Sequence, residues 1–367
     1  MSCFSSLIKD NYLLSFIEVM CIMGFKLPLK NADSLLNSCI DSLDIVLVAH
    51  VVGPRGYDNI LQRNCSETEQ FTVQEFNEIY RGVVDAGFYM RKVFFSEIDF
   101  IKDFIGNLEE YSSTVVFNLC RNGTGMNKKA VVPAICDLLG TVFTSSDSGS
   151  CALARNKSLY TTFLSASGIS CPISGIYSEE LSNKIANNTK VICKPVDGSA
   201  SQGISYKNII SFGEALALYD ESVLIQEYID GYECEVPIFC SDGKCFAMPP
   251  VGISFEEESL IGILTYESSM NSNYGFYNLN DILPSKICEK IMKDAEKSFD
   301  LLGLETYGRI DFRIDRNTHQ HYLMDVSTTP YITKHSSFAF AMKEAKRDYS
   351  EIFRLIISAA LQSRRIN

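Results

Sequence analysis

Residues 44–52, DIVLVAHVV, are an unbroken run of β-branched and other apolar side chains, and this run limits the fold more than any other stretch of the chain. A strand that is apolar on both faces must be covered on both, which is the situation of a strand inside a parallel sheet. STVVFNL at 113–119 repeats the pattern. Between the two runs lie a helical periodicity at about 72–86 and a strand-like stretch at 88–95. After the polar break RNGTGMN another helix is expected at about 128–139. Parallel strands need long crossovers, and helices supply them. Residues 41–150 are therefore expected to form an open α/β domain, and residues 1–40 an amphipathic helical extension that packs on the body or serves a dimer contact.

Beyond residue 150 the pattern becomes mixed α+β. A helix at about 156–167 stops at Gly168, a residue suited to a left-handed C-terminal cap. The strand VICKP runs into the small-residue loop VDGSASQG, and a helix near 212–219 leads to the strand VLIQEYI. ECEVPIFC then ends in the turn Ser241–Asp242–Gly243. Residues 253–280 are polar and poorly periodic, and read as a long mobile loop that could serve as a lid. A helix at about 285–302 ends at Gly303 and is followed by GRIDFRID–RNTHQ–HYLMDVSTTP, residues 308–330, which reads as a β-hairpin. The expected division is 151–235 for a central domain and 236–367 for a C-terminal one.

A formal charge of −12 argues against a general nucleic-acid surface, which needs clustered lysine and arginine, but leaves room for a local basic pocket. The 13 cysteines are odd in number and contain no CxxC pair; Cys120, Cys136, Cys193 and Cys240 sit in apolar runs, where a thiol behaves as a small hydrophobe. Residues 12–23 are apolar but short and are interrupted by Glu18, so no membrane span is expected. The expectation is a cytoplasmic protein.

Three stretches carry chemistry. On the hairpin, Arg309 and Asp311 share one strand face, and Asp325 and Ser327 share a face of the other arm. Pairing of the arms would gather two carboxylates, a hydroxyl and a guanidinium, which suits a hard cation such as Mg²⁺ together with phosphate; a solvated hairpin is the plain alternative. In KPVDGSASQGIS, Lys194 precedes a loop whose Gly198 and Gly203 would let backbone N–H groups approach phosphate oxygens. The spacing is neither that of a P-loop nor GxGxxG, and a hairpin turn explains it as well. In VLIQEYIDGYECEV, a strand bearing Gln226 and Glu227 breaks at Asp230–Gly231 before Glu233, a hinge able to hydrogen-bond a planar base and a ribose.

Taken in order, these motifs resemble the ATP-grasp superfamily and within it the D-alanine–D-alanine ligase family. The resemblance spans roughly residues 113–340 and rests on four stretches: FNL…GTGMNKKAVVPAICDLLGTVFTSSDSGSCALARNKSLYTTFLSASGISCP, VICKPVDGSASQGIS, LIQEYIDGYECEV and RIDF…YLMDVSTTPYITKHSS. It implies an ATP-grasp fold behind an open α/β N-terminal domain, with ATP and Mg²⁺ (Mn²⁺ as a substitute) as cofactors. It also implies that Lys157 and Lys194 bind the phosphates and that the loop with Ser199, Ala200 and Ser201 closes over them. Gln226, Glu227 and Ile229 would line the adenine, and Glu233 would hold the ribose. Asp311, Asp325 and Ser327 stand at the metal positions, Arg309 at the transferring phosphoryl group, and Ser336 at the carboxylate of the second substrate.

The implied reaction joins a small-molecule carboxylate to an amine through an acyl phosphate, releasing ADP and phosphate. The chain departs from the family at several points. AHVVGPRGYDN follows the first strand, with His50, Arg55 and Tyr57 in place of the Glu-His-Glu motif. Ser327 replaces an asparagine, Asp325 a glutamate, Pro330–Tyr331 a proline-glycine, and Thr265–Tyr266 a lysine-tyrosine pair. The first-strand change and Pro330–Tyr331 point to amino-acid or small-peptide substrates other than D-alanine, while Asp325 and Ser327 still offer oxygens to Mg²⁺, more weakly or for fewer ions; the alternative is a degenerate nucleotide binder without ligase activity. His319 and His321 read as an exposed turn, and His335 as facing substrate or packing. Arg121 and Lys128–Lys129 could meet a carboxylate or form a solvated helix start.

Overall fold

In the computed structural model, which describes residues 27–51, 69–121, 125–176, 179–218, 223–255 and 259–364, the two apolar runs are neighbouring parallel strands. Strands β1 (Asp44–Val48), β2 (Tyr89–Phe94), β3 (Thr114–Asn118) and β4 (Val142–Phe143) form a parallel sheet in the order β2-β1-β3-β4. Ile45 to Val48 and Val115 to Phe117 are fully buried, as their two-sided apolar pattern requires. The helix Val73–Asp85 starts at a reciprocal capping box, in which the Glu75 N–H donates to Thr72 and the Thr72 N–H to the Glu75 carboxylate. The expected helix at 128–139 begins only at Val131, because Lys129 takes a left-handed φ of 67° that interrupts it. Arg55, Tyr57 and residues 1–26 of the expected N-terminal extension lie outside the described residues; Leu29–Leu36 is helical.

A second sheet, order β5-β8-β6-β7, is antiparallel and consists of β5 (Ser174–Gly175), β6 (Lys190–Pro195), β7 (Ile209–Ser211) and β8 (Val223–Glu227). The third contains β9 (Gly231–Ser241), β10 (Lys244–Ala247), β11 (Val251–Ser254), β12 (Gly275–Asn278), β13 (Tyr307–Asp315) and β14 (His321–Ser327). Its order is β12-β11-β9-β13-β14, and β10 pairs with the far end of β9. β13 and β14 are the arms of the expected hairpin. Gly231 is needed where β9 meets the hairpin, since a Cβ there would strike the backbone of Ile314.

Residues 253–280 differ from the expected structureless loop. Gly275–Asn278 pairs with Val251–Ser254, and Thr265 caps a short helix at Tyr266–Met270. The polar sequence hid this because backbone pairing at a sheet edge does not need alternating apolar side chains. His321 also departs from the exposed-turn reading: it is buried in β14 with Nε2 2.7 Å from the Asp294 carboxylate, and only His319 belongs to the turn.

One core joins the first sheet to the end of the chain. Leu29, Ile45 and Val83 pack in the same cluster as Phe338, Phe353, Ile356 and Leu361, and a Cβ on Gly82 would collide with the Phe353 ring. Arg354 fastens this contact, with Nη2 2.8 Å from Asp33 and Nη1 2.9 Å from the Ala86 carbonyl.

Candidate active site

The antiparallel register decides what meets on the third sheet. Arg309 lies opposite Ser327, and Asp311 lies between Asp325 on β14 and Glu235 on β9. Arg313 lies opposite Glu233. Cross-strand partners project to the same face, so the alternation of β13 places its charged residues above an otherwise buried sheet. That face forms the floor of a cavity of about 510 Å³, lined by residues from the second and third sheets and from the helix Val73–Asp85.

Each carboxylate on this face has a cation. Arg309 donates Nε and Nη2 to the two oxygens of Asp311 at 2.7 and 2.8 Å, and its Nη1 is 2.9 Å from Glu235. Lys157 reaches across from the helix Lys157–Ala166 to Asp325 at 2.6 Å, where the Tyr160 hydroxyl also donates at 3.0 Å. Burial would raise the Asp325 carboxyl, but the charges of Lys157 and Lys194 outweigh it and hold the group well below the usual carboxylate range. Burial, with Glu235 nearby, pushes Asp311 upward against the pull of Arg309. Arg313 is buried between Glu233, 2.9 Å away, and the carbonyls of Ile229, Gly231 and Gly262.

Lys194, at the end of β6, is buried; loss of solvent together with Lys157 lowers it to about 8. The loop after it turns through left-handed residues at Ala200, Ser201 and Gly203, with φ of 49°, 56° and 71°. The buried Ser199 hydroxyl has no hydrogen-bond partner among the described residues, as expected for a donor held ready for a ligand. The Tyr266 N–H donates to Ile204 at 2.9 Å, so the 253–280 segment is attached to this loop, and its Ile263, Leu264 and Met270 line the cavity.

Of the residues singled out in the sequence, Lys157, Lys194, Ser199, Ala200, Ser201, Glu233, Arg309, Asp311, Asp325, Ser327 and Ser336 line this one cavity. Gln226, Glu227 and Ile229 do not, although their neighbour Tyr228 does. Gln226 is fully buried with both amide atoms unpartnered among the described residues, and the Ile229 carbonyl accepts from Arg313. Ser336 is buried at the cavity wall and its hydroxyl caps a helix: it donates to the Thr333 carbonyl at 2.6 Å and accepts from the Ala339 N–H at 3.2 Å. His335 lines the cavity beside the Tyr274 ring, 4.8 Å between centroids.

Several residues were missed as site members. Glu235 and Arg313 lie two residues from Glu233 and Asp311, and strand alternation could have found both. Glu69 and Arg155 also line the cavity; Arg121 and Lys129, read as meeting a carboxylate or starting a solvated helix, line it too, and both are buried, as is Lys128. Tyr331 packs its ring 5.2 Å from that of Phe71 and 4.0 Å from the Arg121 guanidinium, and its hydroxyl donates to the Gln70 carbonyl at 3.2 Å.

Among the described residues no three Asp, Glu, His or Cys side chains converge as a self-sufficient metal cage. A magnesium ion bound with phosphate does not require one, because it commonly rests on one or two carboxylates and takes its other ligands from phosphate and water. The hard oxygens of Asp311, Asp325 and Ser327, adjacent in register, fit that mode of binding.

Residues 177–358 match the family model described as the D-Ala D-Ala ligase C-terminus. The D-alanine–D-alanine ligase of Desulforamulus reducens is 25% identical over 312 residues, covering 81% of this chain and 96% of that protein. Among solved structures, the D-alanine–D-alanine ligase of Bacillus anthracis complexed with ATP superposes with a TM-score of 0.64 at 19% identity, covering 88% of this chain and 98% of the other. The VanG D-Ala:D-Ser ligase of Enterococcus faecalis superposes with a TM-score of 0.63 at 17% identity, covering 87% and 99%. The structural likenesses establish the ATP-grasp fold. Among the described residues no helix is long and apolar enough to cross a membrane.

Proposed function

We propose that the chain is a divergent D-alanine–D-alanine ligase-like ATP-grasp ligase that activates a small carboxylic acid with ATP and joins it to an amine, neither partner being D-alanine. The observation that carries this reading is the meeting of Lys157, Lys194 and the Ser199–Gly203 loop with Arg309, Asp311 and Asp325 in one cavity.

Amide formation from a free carboxylate in water is uphill, so the acid must first acquire a better leaving group. Its carboxylate oxygen attacks the γ-phosphorus of ATP, the bond to the β–γ bridging oxygen breaks, and ADP leaves with an acyl phosphate formed. The amine then attacks the acyl carbon; the tetrahedral intermediate expels phosphate and the nitrogen gives up a proton. Lys157 and Lys194 hold the phosphates, and Arg309, fixed by Asp311 and Glu235, turns its remaining N–H donors to the transferring group. Asp311, Asp325 and Ser327 would hold Mg²⁺, which when bound neutralises phosphate charge. The 253–280 segment shields the acyl phosphate from water.

ADP release in the presence of Mg-ATP, measured across a panel of amino acids and short peptides as acid and amine, tests the reading. Asp311→Asn should lower turnover by about 10²-fold or more with the fold retained, since Glu235 still faces Arg309. Full activity in that variant removes the metal assignment. ATP binding without turnover of any acid–amine pair leaves the degenerate nucleotide binder as the better reading.

A further inference from the structure

Next to the phosphate residues the cavity has a second charged wall with a single acid among four cations. Arg121, Lys128, Lys129 and Arg155 are all buried, each at most 6% exposed, and Glu69 is the carboxylate among them. Glu69 pairs with Lys128 and its charge also acts on Lys129 and Arg155, so one carboxylate faces four cations. Arg121, Lys129 and Arg155 form no ion pair among the described residues. Burial, then the charges of Arg155 and Arg121, hold Lys129 well below the ordinary lysine range, which places these cations close enough to repel one another. Burying such a group of cations is costly unless an anion completes it.

The open donors show where that anion sits. Arg121 is held by aromatic rings, its guanidinium carbon 4.0 Å from the Tyr331 centroid and 4.6 Å from that of Phe71. Its Nε and Nη2 have no hydrogen-bond partner among the described residues. Those two nitrogens form the edge of a guanidinium that grips a carboxylate with two parallel bonds, and the rings fix the plane of the fork. Arg155 Nε and the Thr329 hydroxyl, both buried on the same cavity, are likewise unpartnered among the described residues. Arg155 donates through Nη2 to the Asp197 carbonyl in the loop that follows Lys194, so this wall adjoins the phosphate side, where the acid substrate must lie to be activated.

We propose that the acid substrate carries a second carboxylate, which the Nε–Nη2 edge of Arg121 receives while Lys129 and Arg155 balance its charge. This rests on the ligase reading above and names the substrate class: a dicarboxylic acid or an acidic amino acid.

The test measures ADP release by the full chain with Mg-ATP and an amino-acid amine panel, using acids in isosteric pairs: aspartate and asparagine, glutamate and glutamine, succinate and succinamate, with phosphoserine as a phosphate-bearing acid. The expected result is a kcat/KM at least tenfold higher for the dicarboxylates. Arg121→Gln should raise KM for the acid about tenfold with KM for ATP unchanged, and Arg121→Lys should recover part of the loss. Lys129→Gln should act in the same direction, which protects the test if Arg121→Gln folds poorly. Equal use of the amide isosteres, a preference for phosphoserine, or an effect confined to KM for the amine overturns the proposal. If no acid supports ADP release, the ligase reading fails, and calorimetric titration of succinate and glutarate into the protein with a non-hydrolysable ATP analogue decides on the pocket. Binding that is lost in Arg121→Gln keeps it, and absence of binding to the unaltered chain removes it.

Discussion

On the β13–β14 face each cation has a carboxylate of its own: Arg309 has Asp311 and Glu235, Lys157 has Asp325, and Arg313 has Glu233. A short distance along the same cavity, Arg121, Lys129 and Arg155 have none among the described residues. Residues of both groups line the same cavity. The first is complete within the protein and holds its side chains ready; the second is incomplete until something negative arrives. The same residue types therefore do different work according to whether the fold or a ligand supplies the counter-charge.

The sharpest way to break this contrast is to remove one cation from each group. Arg309→Gln leaves Asp311 and Glu235 facing each other without a cation and should cost about 3–5 kcal/mol in urea unfolding. Lys129→Met removes a charge with no ion pair among the described residues, and should leave the ligand-free protein as stable or about 1 kcal/mol more so. Losses of equal size would mean that the Arg121 wall is balanced as well.

A smaller effect comes from Lys194, whose charged neighbours are Lys157, Asp325, Glu233 and Arg313 of the first group. Its proton is held less firmly in the fold, at about 8, than its ordinary value of 10.5. Between these values the unfolded chain binds more protons, so stability should rise with pH there, by roughly 3 kcal/mol at most. Below pH 8 the full penalty remains. A saturating ATP analogue should flatten the rise, because phosphate restores the favourable charged form; an equally steep rise with the analogue bound would place Lys194 outside the phosphate site. The smallest effect belongs to Arg316→Ala at the solvent-exposed pair with Asp230, which should change stability by less than about 0.5 kcal/mol. A larger loss would show that charge balance matters at the surface as it does in the cavity.

What could be read in advance follows the physics of each element. The runs at 44–52 and 113–119 identified a parallel sheet because two-sided burial leaves a compositional mark, and the hairpin was legible because its polar turn and alternation are local. The placement of Asp311 opposite Asp325 also followed once the arms were paired. Glu235 was overlooked because its importance comes from β9 lying beside β13, a neighbour separated by some 70 residues of sequence. Arg121 and Lys129 were ambiguous, and Arg155 was missed, for a related reason: a cation at a strand or helix end carries no local sign of whether the rest of the fold will cover it. Residues 253–280 misled because an edge strand can be polar and still pair.

The core that unites Leu29, Ile45 and Val83 with Phe353, Ile356 and Leu361 has a consequence for the order of events during synthesis. A chain emerging from the ribosome presents its first sheet early, with one apolar face waiting for a helix that is made much later. Until Ser350–Arg364 clears the exit tunnel, that face stays bare and Gly82 has no ring to receive. The first sheet is thus covered by a helix far along the chain, and its core closes only once that helix has been made.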